Sequence, residues 1–190
     1  VHLGHRQVLN ALVSSARERG EEAIVVTFST HPRAVLQQDA RSLRLLSSPA
    51  EKVSMIKALG VDRVEVMEFS REFSLLTAEE YLRDIVRDRF GGTAVLLGYD
   101  NRLGSDRMTP DRIVPLAKRL GMDAVIVPAE SLGSDVVVSS TKIRTSLLEG
   151  KVEDAAAMLG YEYSVSGVVV GGKQLGRTIG FPTANMQLYE

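Results

Sequence analysis

Apolar runs and amphipathic stretches alternate along the first 127 residues, and that alternation leaves few folds open. Residues 23–28, Ala-Ile-Val-Val-Thr-Phe, form a continuous apolar run, as a strand buried on both faces of a parallel sheet does. Further strand candidates lie at 62–68, where Val64 and Val66 alternate, at 93–97, and at Val125, Ile126 and Val127. Helical periodicity fills the spaces between them. Leu9, Leu12, Val13 and Ala16 share one helical face, and Gly20 ends that helix. Ser48-Pro49-Ala50-Glu51 and Thr77-Ala78-Glu79-Glu80 both read as capping boxes, the first with Pro at the opening helical position. Their helices carry Val53, Ile56 and Leu59, ending at Gly60, and Tyr81, Leu82, Ile85 and Val86, ending at Gly91-Gly92. Thr109-Pro110 opens another helix, with Ile113, Leu116, Ala117 and Leu120, which Gly121 closes. The pattern predicts an α/β domain with a doubly wound parallel sheet. Ligands bind such sheets outside the carboxyl ends of the strands. Val1 stands directly before a helix start, where a domain of this kind ordinarily has a strand, so residues ahead of Val1 are expected.

After a short helix at 152–159, closed by Gly160, the character of the chain changes. Tyr163, Val165, Val168, Val169 and Val170 are β-prone, and a glycine-rich turn follows from Gly171 to Arg177. Residues 161–190 therefore read as the opening hairpin of an all-β domain, with residues 1–160 forming the α/β domain before it. Net charge is −1, from 23 basic and 24 acidic residues, which argues for neither a nucleic-acid nor a membrane surface as partner. The absence of Cys excludes disulfides and agrees with a reducing cytoplasm. No apolar run is long enough to span a bilayer, and no signal-peptide pattern is present. Oligomeric state stays open.

Two short motifs carry the chemistry. His2-Leu3-Gly4-His5 occupies the first turn of the first helix, where unpaired N–H groups and the positive dipole end favour a phosphate. Histidines three residues apart can both face such an anion. The same spacing also suits a metal pair, and a plain surface role is equally open. Far downstream, Ser139-Ser140-Thr141-Lys142-Ile143-Arg144 runs three hydroxyls into a helix start, with a Lys and an Arg close by. That arrangement suits a triphosphate, while a simple Ser cap with solvated charges is the plainer reading.

Together with Thr27-Phe28-Ser29-Thr30-His31-Pro32-Arg33, Gly98 to Gly104, and Leu175-Gly176-Arg177-Thr178-Ile179-Gly180-Phe181-Pro182-Thr183-Ala184-Asn185, these motifs resemble the bifunctional riboflavin kinase/FAD synthetases of bacteria. They follow the family's order across nearly the whole chain, and the Gly180 to Asn185 stretch is the most specific. The resemblance implies a Rossmann-like nucleotidyltransferase domain that moves AMP from ATP to FMN, giving FAD and pyrophosphate. It also implies the start of a small antiparallel β-barrel that phosphorylates riboflavin to FMN. His2 and His5, with Gly4 between them, then hold the ATP phosphates. Ser139, Ser140 and Thr141 meet the β- and γ-phosphates with Arg144 alongside, and Lys142 is solvated charge. His31 and Pro32 line the flavin side. Gly171, Lys173, Gly176 and Arg177 shape the kinase's phosphate cradle, and Thr183 and Asn185 hold magnesium with ATP.

One departure concerns the flavin: Asn101 and Leu103 stand where the family's fourth loop carries aromatics, leaving Tyr99, with Asp100, to compensate. The carboxylate that serves the kinase as base lies beyond Glu190 in the family. Another small-molecule nucleotidyltransferase, or a flavin- or nucleotide-binding module without catalysis, are the competing readings.

Overall fold

The computed structural model of the chain describes residues 1–29, 45–128 and 138–188. Its first helix, α1 (Leu3–Arg19), ends where Gly20 turns left-handed at φ +67° and returns its N–H to the last turn. A strand, β1 (Ile24–Phe28), follows. The next helix, α2 (Pro49–Lys57), opens on the expected capping box: Glu51 N–H donates to Ser48 Oγ at 3.2 Å, and Ser48 N–H donates to Glu51 Oε2 at 2.8 Å. After β2 (Arg63–Met67), Thr77 and Glu80 repeat the box at 3.2 and 2.8 Å. The helix they start, α3, runs as Ala78–Glu80 and then winds as a π-helix over Tyr81–Arg89, where an α-helix was the expectation. Phe90 N–H accordingly donates to the Ile85 carbonyl five residues back.

The strands β3 (Ala94–Gly98) and β4 (Asp123–Val127) flank α4 (Pro110–Arg119). Two further helices follow, α5 (Ser140–Leu148) and α6 (Val152–Leu159). All four strands pair in parallel, Ile24 with Arg63 through Phe28 with Met67, and Ala94 with Asp123 through Gly98 with Val127. They do so as two separate pairs, β1–β2 and β3–β4, rather than as the single sheet the sequence predicts. A cavity of about 640 Å³ lies between β1 and β3, with Leu9, Leu12 and Ala16 of α1 along its floor. For that reason residues 24–28 are only half-buried, although their composition suits burial on both faces.

The largest core cluster packs Leu82 of α3, Leu97 of β3 and Ile113 and Leu116 of α4. Full burial of each such side chain stabilises the fold by about 1.5–3 kcal/mol. Ile143, Met158 and Leu159 join α5 to α6, and Leu9 of α1 packs with Ile56 of α2 and Val61. Beyond α6, β5 (Gly167–Val170) and β6 (Asn185–Leu188) form an antiparallel hairpin. The stretch joining them contains a short helix, α7 (Leu175–Thr178), where the sequence suggests only a turn. A hairpin is what the sequence predicts here; its strands are open to solvent on both faces apart from a half-buried Gly167. Among the described residues, no helix is long and apolar enough to cross a membrane.

Candidate functional site

The direction of α1 decides where a ligand can bind. Near its carboxyl end, Arg17 forms a bidentate pair with Asp62, just before β2, at 2.7 and 2.8 Å. Arg19 meets Asp123, the first residue of β4, at 2.6 Å. Near its amino end, Gln7 donates to the Pro128 carbonyl just past β4, at 3.2 Å. Twelve helical residues rise about 18 Å, and five strand residues span about 17 Å, so these contacts fit one antiparallel packing. The first turn of α1 therefore lies at the carboxyl ends of both strand pairs, where open parallel sheets hold ligands. No acidic residue occupies that turn, so no carboxylate there offsets its positive dipole end.

His2 is the N-cap, in extended conformation, and its carbonyl accepts the Arg6 N–H at 3.0 Å. Its own backbone N–H donates to His5 Nδ1 at 3.4 Å. That contact leaves the His5 proton on Nε2 when the ring is neutral. The two rings stack at 3.8 Å between centroids, 35° apart in plane. A Cβ at Gly4 would come within 3.4 Å of the His2 ring, so the glycine gives that imidazole room. Both pKa values fall to about 4: burial is the leading cause for each, followed at His5 by repulsion from His2. Two stacked imidazoles thus present neutral nitrogens at pH 7. His2 Nδ1 is buried against the first turn of α1, on the side of the His5 backbone N–H. No cluster of three His, Asp or Glu able to hold a metal occurs among the described residues.

Ser139 is the N-cap of α5, and its Oγ accepts the Lys142 N–H at 3.3 Å, the plainer of the two roles its sequence allows. Ser140 begins the helix, Thr141 and Lys142 are exposed, and Arg144 is half-buried beyond the inaccessible Ile143. α5 packs on α6, and Gly160, left-handed at φ +79°, ends α6 directly against Leu3. The late motif is thereby joined to the start of α1 through α6. Tyr99 and Asp100 sit exposed at the carboxyl end of β3, with Tyr99 N–H donating to Val127 at 3.0 Å. His31 and Pro32 lie outside the described residues.

The sequence reading gave no site role to four aromatics. Phe28 ends β1, and its ring meets Phe69 at 5.1 Å and Phe73 at 5.2 Å. Phe73 meets Tyr81 edge-on at 6.0 Å. These half-buried rings stand past the carboxyl ends of β1 and β2. The available signal was the placement of Phe28 and Phe69, one at the end of a strand candidate and one directly after the next. On the hairpin, Gly171, Lys173, Gly176, Arg177 and Thr183 lie in the stretch joining β5 to β6, and Asn185 opens β6. A Cβ at Gly172 would collide with the Asn185 amide, and one at Gly176 with the Phe181 carbonyl.

A family model described as FAD synthetase matches residues 1–142, and one described as riboflavin kinase matches residues 159–190. Proteins described as bifunctional riboflavin kinase/FMN adenylyltransferase are similar throughout. The one from Listeria monocytogenes is 34% identical over 192 residues, covering 100% of this chain and 60% of the relative. The one from Escherichia coli K12 is 33% identical over 189 residues, covering 99% and 60%. The one from Bacillus subtilis is 34% identical over 190 residues, covering 99% and 59%. The chain thus spans about 60% of the length of these relatives. A solved structure from Streptococcus pneumoniae, described as a macrolide-efflux protein, superposes with a TM-score of 0.88 at 31% identity, covering 100% of this chain and 61% of that one.

Proposed function

This chain belongs to the FAD synthetase family, and on that premise we propose that residues 1–160 transfer AMP from ATP to FMN. The observation that carries the reading is the neutral, stacked His2–His5 pair at the positive end of α1. That end of a helix favours a phosphate of ATP. A phosphate oxygen of FMN attacks the α-phosphorus, the bond from that phosphorus to the bridging oxygen breaks, and pyrophosphate leaves with the electron pair. No protein nucleophile takes part, so the chain contributes orientation and charge stabilisation. His2 and His5 donate to the phosphates, the α1 N–H groups add to them, and Ser139, Ser140, Thr141 and Arg144 hold the leaving pyrophosphate. The rings of Phe28, Phe69 and Phe73 give the flavin an aromatic wall, which answers the loss of aromatics at Asn101 and Leu103.

Residues 161–190 are the beginning of a riboflavin kinase unit, which in the whole protein supplies FMN to the first site. There Thr183 and Asn185 offer a hydroxyl and an amide oxygen, hard donors suited to magnesium, and the amide sits in a cradle at Gly172 that only glycine leaves open. Magnesium arriving with ATP would neutralise phosphate charge at that place. Gly171, Lys173, Gly176 and Arg177 surround the phosphates.

The test is direct. The protein as its gene encodes it, given ATP, magnesium and FMN, forms FAD and pyrophosphate in equal amounts. No FAD, under conditions where a known FMN adenylyltransferase turns over, overturns the reading.

A further inference from the structure

Lys52 is badly placed for a lysine that does nothing. It stands in the first turn of α2, where the helix dipole opposes a cation. It is half-buried, and burial lowers its pKa. The neighbouring Glu51 is occupied by Ser48 and by the Ser166 hydroxyl. Among the described residues, no carboxylate pairs with Lys52. What it does make is a hydrogen bond from Nζ to the Phe28 carbonyl, at 2.9 Å. That carbonyl closes β1 at the ligand-binding end of the strands. A lysine has three donors, so others remain for a partner.

The first turn of α1 is close by. Ile56, one turn further along the same face of α2, belongs to the cluster that packs Val1 and Leu9. The ammonium is therefore fixed by a strand carbonyl at the carboxyl end of β1, the end of the strands at which the histidine pair stands, and no carboxylate among the described residues neutralises it.

We propose that Lys52 is a further binding residue of this site, donating a charge-assisted hydrogen bond to a phosphate oxygen of the bound nucleotide; this rests on the nucleotidyl-transfer reading above. The Phe28 carbonyl orients the ammonium, and the phosphate supplies a counter-charge that no described residue does.

The experiment uses the protein as its gene encodes it, with Lys52→Met, Lys52→Gln and Lys52→Arg. FAD formation is followed with ATP and FMN varied separately, and pyrophosphate binding is measured by calorimetry. Removing the charge raises the KM for ATP and the Kd for pyrophosphate about tenfold or more, the size of one charge-assisted hydrogen bond. The KM for FMN moves far less, and Lys52→Arg restores most of the loss. Gln keeps a donor without the charge, so it separates binding from a mere clasp on β1 if the Met variant folds poorly. Wild-type pyrophosphate affinity in Lys52→Gln, with only the thermal midpoint lowered, overturns the proposal. If the wild type makes no FAD, the functional reading fails by itself, and the pyrophosphate measurement still decides the role of Lys52.

Discussion

Leu82, Ile113, Leu116, Ile143 and Leu159 in the α/β part are almost inaccessible to water, whereas Val169, Leu175, Ile179 and Phe181 in the hairpin expose 66–75% of their surface. The residue types are alike; the neighbours differ. Each helix of the first part lays an apolar stripe on a strand or another helix. Among the described residues, the hairpin has two strands and a four-residue helix, and none of them lays a second layer over it. A lone two-stranded hairpin is at best marginally stable in water. The contrast separates what local pattern can do, which is to form a turn and pair two strands, from what only a second layer can do.

The sharpest way to break this division is chemical. In the protein as its gene encodes it, His5→Ala lowers FAD formation about 10²–10³-fold, the usual effect of removing one donor to developing charge. Phosphorylation of riboflavin continues at its wild-type rate. Equal loss of both activities, measured by separating FMN and FAD chromatographically, means that the two regions share one site.

Stability sharpens it next. Leu82→Ala costs about 2–5 kcal/mol, because a fully buried leucine leaves a cavity in α3 and α4 packing. Leu148→Ala, exposed at the end of α5, stays within about 0.5 kcal/mol. Urea unfolding followed by circular dichroism compares them, and equal costs would show that Leu82 is not a core residue.

The smallest effect is a pH dependence confined to the first region. His2 and His5 have pKa values of about 4 in the fold, against 6.5 for an ordinary histidine. The unfolded chain therefore binds more protons between those values. Their neutral packing is fully favourable above pH 6.5 and is lost progressively as pH falls towards 4. Thermal midpoints between pH 7 and pH 4 drop less in His5→Gln than in the wild type, while Phe181→Ala follows the wild type.

Much of the first region is legible because its signals are local. Ser48 with Glu51 and Thr77 with Glu80 name their helix starts by side chains three residues apart, and both boxes close. The lateral order of strands is not local. Periodicity reports that residues 24–28 and 93–97 are apolar, but not that each edge faces the same cavity rather than the other strand. The aromatic wall escapes for a similar reason, since Phe28 and Phe73 are brought together by pairing of β1 with β2. At the candidate site, the histidine motif shows its own turn, whereas the partner carbonyl of Lys52 depends on how α2 lands on β1. In the hairpin, Gln174 takes a left-handed φ of 55° without being glycine, so α7 begins where no pattern announces a helix.

The contact between Gly160 and Leu3 joins the two sequence ends of the α/β part. During synthesis the histidines leave the ribosome well before the residue that abuts their helix. The site therefore acquires its full support only after Gly160 has emerged.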